Sequence, residues 1–355
     1  MSQIAAFLQL AIQQNGSDLH LVSGQPPRIR IGGSLHRVKF RSLSIEDLQT
    51  LLAEIMEDDH RRIFDTCHAV DFSYFAPGIG RFRVNVYRHL EGLAAAMRVI
   101  PDRIPSVEDL GLPPAVRLAI TQPKGLTLVT GPTGSGKTTT LAAIIDAIND
   151  ERHGHVITIE DPVEFLHKPR HCAITQRQVG IHSPSFAAAL RDALREDPDV
   201  VMVGEMRDTE TIALALTAAE TGVQVLGTLH TNGAARSVDR ILNAFPASQQ
   251  GQVRVMLAES LRMTISQQLV RTAEGTARKA AVEILVNSTA CASVIRSGQS
   301  HKLTSVIQSG GRAGMQSLDG VLRGMVQEGV ITAEEAYEKA VDRVQFEKLM
   351  ARRAA

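Results

Sequence analysis

A glycine-rich segment with the pattern GxxxxGK[ST] constrains the fold of this 355-residue chain more than any other feature. Its residues are Gly131, Pro132, Thr133, Gly134, Ser135, Gly136, Lys137 and Thr138. Glycines let backbone N–H groups close around phosphate oxygens, and the helix predicted to follow directs its positive end at the same anion. The segment predicts a nucleotide site in which Lys137 binds the β- and γ-phosphates and the Thr138 hydroxyl binds Mg²⁺. Thr139 is included among the nucleotide-binding residues. A glycine-rich turn that matches by accident is the alternative.

Strand and helix patterns alternate from Gly125 onward. The apolar runs are Leu126–Val129, Val156–Ile159, Val200–Val203 and Val223–Leu229, and the helical patterns cover 137–149, 184–196, 209–220 and 234–243. Such alternation predicts a mostly parallel, buried sheet with P-loop topology. Beyond Pro246 the pattern predicts mainly helix, with one apolar run at Val282–Val286.

The first hundred residues have a different pattern, which predicts a small α/β module with an antiparallel sheet. Helices are predicted at 3–14 and 44–66, the second with Ser44 as its N-cap, and strands at 18–22, 28–31, 71–75, 81–87 and 93–100. Four prolines between Pro101 and Pro114 indicate a connection between domains. We therefore predict an N-terminal domain at 1–104, a linker at 105–116 and an ATPase domain at 117–355, with a C-terminal helical region from about residue 246.

The bulk composition excludes several classes of protein. The 44% hydrophobic and 21% charged residues are typical of a folded globular chain, and the net charge of zero gives no support to a nucleic-acid partner. Three separated cysteines make a zinc site or a disulfide framework improbable. No apolar run approaches the roughly 20 residues that a membrane span needs, and no signal peptide is evident, so we expect a cytoplasmic protein.

Carboxylates follow two of the predicted strands. They are Glu205 after the run ending at Val203, and Glu160, Asp161 and Glu164 after the run ending at Ile159. In an open α/β sheet the carboxyl ends of the strands form the edge where ligands bind. A carboxylate there can polarise an attacking water or hold a metal, so we predict catalytic roles for these acids. An ordinary surface acid at Glu205 and a solvated turn at 160–164 are the alternatives.

Further polar candidates are one histidine and three arginines. His230 follows the strand that ends at Leu229, where it could sense the γ-phosphate or serve as a structural hydrogen-bonding residue. Phosphoryl transfer also needs a cation on the developing charge. Arg81, Arg83 and Arg98 lie on predicted strands of the first domain and could supply it. A basic stripe on an antiparallel sheet is the alternative for these arginines.

Five segments together resemble the PilT-type motor ATPases of type IV pili, within the secretion ATPase superfamily. They are Ser17–Leu21, Gly131–Thr138, Ile157–Phe165, Leu194–Asp208 and Gly227–Asn232. In order, they are similar to the family's N-terminal signature, Walker A loop, Asp box, Walker B region and His box. Their order and spacing cover nearly the whole chain.

The resemblance implies an α/β fold with an N-terminal PAS-like domain and a RecA-like ATPase domain. It implies a homo-hexameric ring that binds ATP and Mg²⁺ between the two domains. Glu205 would be the catalytic glutamate, and Glu164 the Asp-box acid near the metal. Arg83 and Arg98 would be arginine fingers, with Arg81 as a helper. The ring would act on a PilC-like inner-membrane platform protein, alongside other pilus motor ATPases, and would drive pilus retraction and twitching motility.

Other members of the superfamily provide alternatives. Secretion and pilus-assembly ATPases usually carry an extra N-terminal region and a tetracysteine zinc site, and neither is evident here. The family's retraction signature, typically AIRNLIRE, reads as Ala290–Ser297, with Ala292 and Ser297 replacing charged residues on a predicted helix surface. That departure leaves open an accessory motor resembling PilU. A RecA-like motor on nucleic acid and a non-hydrolysing scaffold are further alternatives. Zero charge with 4% aromatics argues against the first, and the acids Glu164 and Glu205 argue against the second.

Overall fold

The computed structural model describes residues 3–100, 103–275 and 277–353. The chain forms two compact units. The first comprises the residues up to Arg103 together with Pro162–Leu166, and the second comprises Ile104–Asp161 and the residues from His167 onward. The predicted domain and linker bounds stay a prediction, and Pro101 of the proline-rich connection lies outside the described residues.

The first unit is an antiparallel sheet covered by helices. Its helices are α1 (Gln3–Gln13), α2 (Ile45–Ala53) and α3 (Asp58–Cys67). Its strands are β1 (Asp18–Val22), β2 (Arg28–Ile31), β3 (Ser34–Arg37), β4 (Ala69–Ala76), β5 (Gly80–His89) and β6 (Gly92–Ile100). The strand order is β3-β2-β1-β6-β5-β4, with every pairing antiparallel. Buried side chains of β1, β5 and β6, among them Leu19, Phe82 and Met97, form its core with α1 and α2.

The helix predicted at 44–66 is two helices. Ser44 does cap α2, because its hydroxyl accepts the Asp47 N–H at 3.2 Å while the Asp47 carboxylate accepts the Ser44 N–H at 2.7 Å. The helix ends at Ala53, and α3 begins at Asp58 after a new cap at Glu57. The apolar periodicity continues across this break, which is why the pattern predicted one helix.

The second unit is built around a seven-stranded sheet. Its strands are β7 (Gly125–Thr130), β8 (Gly154–Glu160), β9 (Cys172–Gln178), β10 (Val200–Val203), β11 (Gln224–Leu229), β12 (Leu261–Arg271) and β13 (Arg278–Val286). Its α-helices are α4 (Arg117–Thr121), α5 (Lys137–Glu151), α6 (Phe186–Ala193), α7 (Thr209–Thr221), α8 (Ala234–Asn243), α9 (Ala247–Ser260), α10 (Thr289–Arg296), α11 (Leu303–Ser309), α12 (Leu318–Gln327), α13 (Ala333–Lys339) and α14 (Val344–Arg353).

The order of this sheet determines which strand ends lie together. It is β13-β12-β7-β11-β10-β8-β9, and every pairing is parallel except that of β12 with β13. All residues of β7, β10 and β11 are buried, so these strands lack the alternation of apolar and polar residues that marks a half-exposed strand. Because β7, β11, β10 and β8 run parallel side by side, the segments that follow them emerge at one edge of the sheet.

Three strands, β3, β9 and β12, were not predicted, and β13 was predicted only as an apolar run. The segment beyond Pro246, predicted mainly helical, contains the long strand β12 and its partner β13, which includes the apolar run Val282–Val286. β12 is buried on both faces, so it lacks the alternation that marks a half-exposed strand. β9 is polar and lies at the sheet edge. Within the described residues, no helix combines the length and apolar composition needed to cross a membrane.

Candidate nucleotide site

The glycine-rich loop joins β7 to α5 through backbone conformations that favour glycine. Gly131, Gly134 and Gly136 have φ angles of 145°, 78° and 86°, and α5 begins at the next residue, Lys137. A Cβ on Gly131 would lie 2.2 Å from the carbonyl oxygen of Gln267. The close approach of β12 therefore requires glycine at this position, and the loop has the shape of a phosphate cradle.

Lys137 is buried and directed into the loop. Its Nζ donates to the carbonyl oxygens of Gly131 and Pro132, at 3.0 Å each. Burial lowers the pKa of Lys137, while the negative charge of Glu205 acts in the opposite direction. A cation held within the glycine-rich loop is suited to bind the β- and γ-phosphates of a nucleotide.

Gln267 on β12 holds the glycine-rich loop and the first turn of α5 by two hydrogen bonds. Its amide Nε2 donates to the Ser135 carbonyl at 2.6 Å, and its Oε1 accepts from the Thr140 hydroxyl at 2.8 Å. The side chain is only 3% exposed. Gln267 was missed from the sequence because it lies 132 positions from the residue it holds, in a segment predicted to be helical.

The loop offers hard oxygen donors where a metal-bound triphosphate would lie. The Thr138 side chain is half-buried in the first turn of α5. The Ser135 hydroxyl is buried and has no hydrogen-bond partner among the described residues. Hydroxyl and carboxylate oxygens are the ligands that Mg²⁺ prefers, so this part of the chain fits a Mg²⁺–nucleotide complex. Among the described residues, no group of three or more His, Cys, Asp or Glu side chains forms a metal cluster by itself.

Glu205 emerges two residues after β10, beside the ends of the neighbouring strands. The preceding residue, Gly204, donates its N–H to the Ile159 carbonyl of β8 at 2.8 Å. The Glu205 Oε1 lies 2.5 Å from Arg207 Nε and 3.1 Å from His230 Nε2. Burial by itself would raise the pKa of Glu205, but the hydrogen bond from Arg207 and the charges of His230 and Arg207 lower it overall. The acid is therefore held ionised at neutral pH.

His230 lies between Glu205 and the glycine-rich loop. One ring nitrogen, Nε2, contacts Glu205, and the other, Nδ1, is 3.5 Å from the Thr133 hydroxyl. The side chain is 41% exposed. The sheet thus brings together three residues predicted from separate motifs: one of the loop, one after β10 and one after β11.

The acids after β8 have different surroundings. Glu160 is buried, and its Oε1 accepts from the Thr158 hydroxyl at 2.6 Å and from the Gln176 amide at 3.1 Å. These bonds hold the ends of β8 and β9 together, which is a structural arrangement. Asp161 is exposed, and its negative charge helps to raise the pKa of Arg207. Catalytic roles for both acids stay a prediction.

The predicted arginines lie on one face of the first unit's sheet. Arg81 and Arg83 flank the buried Phe82 of β5, and Arg98 of β6 is the cross-strand partner of Arg83. Arg83 Nη1 donates to Glu164 at 3.2 Å, within the first unit, and Arg98 Nε donates to Asp18 of the N-terminal signature at 2.9 Å. The finger roles of these arginines, and the metal role of Glu164, stay predictions.

Comparison with known proteins identifies the class. The model of the Type II/IV secretion system protein family matches residues 1–349, and the chain belongs to this family. It is 46% identical over 337 residues to the type IV pilus retractation ATPase PilT of Pseudomonas aeruginosa, covering 95% of this chain and 98% of that protein. It is 39% identical over 334 residues to the type IV pilus ATPase PilU of the same organism, covering 94% and 87%.

A solved structure agrees with the sequence relatives. The pilus retraction motor PilT with bound ADP superposes with a TM-score of 0.90 at 43% identity, covering 98% of this chain and 99% of that one. The resemblance to the PilT-type motor ATPases is confirmed, and so is the predicted fold class of an N-terminal α/β domain with an antiparallel sheet followed by a P-loop ATPase domain. The predicted nucleotide-binding site is supported by the same comparison, because the solved PilT structure contains ADP.

Proposed function

We propose that this chain is a Mg²⁺-dependent ATPase that works as a homo-hexameric ring and powers pilus retraction, and with it twitching motility. One observation carries the enzymatic part: His230 bridges the phosphate loop and Glu205, with contacts of 3.5 Å to Thr133 and 3.1 Å to the carboxylate. The similarity to the retraction ATPase PilT, at 46% identity along nearly the whole chain, supports the biological part.

The residues of the site divide the chemistry between them. Lys137 and the backbone N–H groups of the loop bind the phosphates and stabilise the charge that develops on them. Arg207 and His230 both contact Oε1 of Glu205, and we assign the other oxygen to the attacking water. An ionised carboxylate in that position accepts the water's proton and orients it in line with the γ-phosphate.

Mg²⁺ would be held by the Thr138 hydroxyl, with Glu164 as the predicted acid nearby, and when bound it neutralises charge on the β- and γ-phosphates. His230 contacts both the loop that binds the phosphate and the acid that activates water. A change in the loop on nucleotide binding can therefore move His230 and, through it, Glu205.

The proposed place of work is the cytoplasmic side of the inner membrane. There the ring would act on a PilC-like platform protein and on other pilus motor ATPases. Nucleic acid is not a proposed partner, because the chain has no net positive charge to attract phosphate backbones.

The altered retraction signature bears on the accessory alternative. Residues 290–296 form most of α10, and Ser297 follows as its C-cap, while the Ser288 cap accepts the Cys291 N–H at 3.2 Å. Ala292 is buried at 9% exposure, so the expectation of a surface position is wrong for it, whereas Ser297 is exposed as expected. The burial of Ala292 against the core means that this chain packs α10 without a charged residue there.

Complementation separates the two pilus functions. The gene for this chain is expressed in a twitching bacterium that lacks its retraction ATPase, and in one that lacks only its accessory motor. We expect restored twitching in the first strain, and none when the Glu205→Gln variant is used. Rescue of the second strain alone would show that this chain is an accessory pilus motor and would overturn the proposed retraction role. Rescue of neither strain, with the protein present at normal level, would contradict a role in retraction.

A further inference from the structure

We propose that Glu283 is a positioning residue that couples the C-terminal helices to His230. It does so through the segment Gly314–Asp319, which we call the docking segment. The inference rests on the proposed ATPase function, since it assigns a new residue to the same site. Glu283 belongs to none of the motifs predicted from the sequence, and it lies on β13, on the far side of β12 from the glycine-rich loop.

A cross-strand pair on β12 and β13 caps the start of α8. Ser266 and Glu283 are register partners. The Ser266 hydroxyl accepts the Gly233 N–H at 2.8 Å, and the Glu283 carboxylate accepts the Ala234 N–H, also at 2.8 Å. Gly233 is the N-cap of α8 and Ala234 is its first residue. At a helix N-terminus an anion is favoured by the helix dipole and by N–H groups that have no acceptor within the helix.

The capped residues directly follow the His-box residues His230, Thr231 and Asn232. Gly233 has a φ angle of 102°, which a non-glycine residue rarely adopts. The Thr231 hydroxyl bonds that of Ser237 at 2.7 Å, which adds a second tie between this segment and α8. With both ends held, by β11 on one side and by α8 on the other, the backbone at His230 is fixed. The 3.1 Å contact of His230 with Glu205 therefore depends on where α8 begins.

The same carboxylate lies beside the docking segment. The backbone N–H of Leu318, at the start of α12, is close enough to Glu283 to lower its pKa. Gln316 pairs with Ile284 of β13 through two backbone hydrogen bonds of 2.9 and 3.2 Å, and its side-chain amide donates to the Val282 carbonyl at 2.7 Å. The docking segment is thus an added strand-like edge on β13, bonded to the residues on either side of Glu283.

Glu283 lies near the N-termini of two helices, α8 and α12. Burial raises the pKa of Glu283 and the nearby Asp319 charge acts in the same direction, while the N–H groups of Ala234 and Leu318 lower it. Both α8 and α12 are ten residues long, and the first N–H groups of each have no acceptor within their own helix. A shift of the C-terminal helices at α12 therefore changes the cap of α8, and with it the position of His230.

Glutamine is the informative substitution at position 283. Glu283→Gln keeps the side-chain length and one acceptor oxygen, but it removes the negative charge from the start of α8. Glutamate at position 335 provides the matched control. Its carboxylate accepts the Arg271 N–H of β12 at 3.0 Å, so Glu335→Gln makes the same chemical change at a backbone donor away from α8.

The test measures ATP turnover and nucleotide affinity of the full chain. We expect Glu283→Gln to lower kcat by roughly tenfold, as for a misplaced catalytic group, with the Kd for ADP within about twofold of the parent. Glu335→Gln should keep both values. The sharper readout is the double variant: if Glu283 acts through His230, Glu283→Gln with His230→Ala should turn over no more slowly than His230→Ala alone.

The outcomes are distinct. A parent chain that does not hydrolyse ATP would refute the proposed function. An active parent with kcat unchanged in Glu283→Gln, or with the two losses multiplying in the double variant, would overturn the coupling role and leave the ATPase intact. Should Glu283→Gln fail to fold, Ser266→Ala carries the test, because it removes the neighbouring Gly233 bond and should lower kcat in the same non-additive way.

Discussion

Gln267 shows why some functional residues cannot be found from the sequence of this chain. Glu205 and His230 were predicted because each follows an apolar strand, and parallel strands bring their ends to one edge. Gln267 lies within a strand, and its contact with the loop depends on the placement of β12 beside β7. No local pattern carries that information. The pairing of Glu205 with Arg207 could have been found, because the two residues are neighbours in the same loop.

The support given by Gln267 is testable by truncation. Gln267→Ala removes two buried hydrogen bonds, to Ser135 and Thr140, and should weaken ADP binding about tenfold, in line with about 1.4 kcal/mol for such bonds. Gln268→Ala, the adjacent residue on the other face of β12, should bind as the parent does. The measurement is isothermal titration of ADP. Equal affinities for the two variants would show that the loop keeps its shape without the amide.

At the scale of elements, the strand–helix alternation predicted most of the second unit correctly. The strands β7, β8, β10 and β11 are short, apolar and flanked by helices, so their pattern was distinctive. β12 contains Ser266 and buried glutamine within an apolar strand, directly after α9, so nothing in its sequence marks the change from helix to strand. Its place in the sheet comes from long-range pairing with β7 and β13.

The segment between β8 and β9 contains a histidine that should make stability depend on pH. His167 has a side chain only 2% exposed, and burial lowers its pKa to about 4. Its unfolded pKa is about 6.5, so as pH falls below that value the unfolded chain binds a proton that the folded chain does not. Stability is therefore complete above about pH 6.5 and is lost as pH falls toward about 4.

The expected loss between pH 7 and pH 5 is about 2 kcal/mol from this residue. Urea unfolding of the parent and of His167→Gln at the two pH values gives the comparison. The parent should lose more stability than the variant, because every other group is common to both. An identical loss in both proteins would mean that the pKa of His167 is not lowered in the folded chain.

At the scale of the whole molecule, the family resemblance supplied what no pattern of residues could. The order of five motifs predicted the two-part architecture, and the relatives match almost the entire chain. The proposed ring assembly and arginine fingers stay predictions, because they depend on neighbouring subunits that a single chain does not contain. If a neighbouring subunit completes the site, turnover per chain should rise with protein concentration until the rings are full.

The central claim is that the phosphate loop and Glu205 form a hydrolytic site. The most direct test is steady-state, Mg²⁺-dependent ATP hydrolysis by the parent and by Glu205→Gln, at a protein concentration where turnover per chain has levelled off. Lys137→Ala, which should lose nucleotide binding, is the control for the loop. We predict that Glu205→Gln binds ADP as the parent does while its turnover falls by roughly 10²-fold or more. Unchanged turnover in Glu205→Gln would remove Glu205 from the reaction and contradict the account.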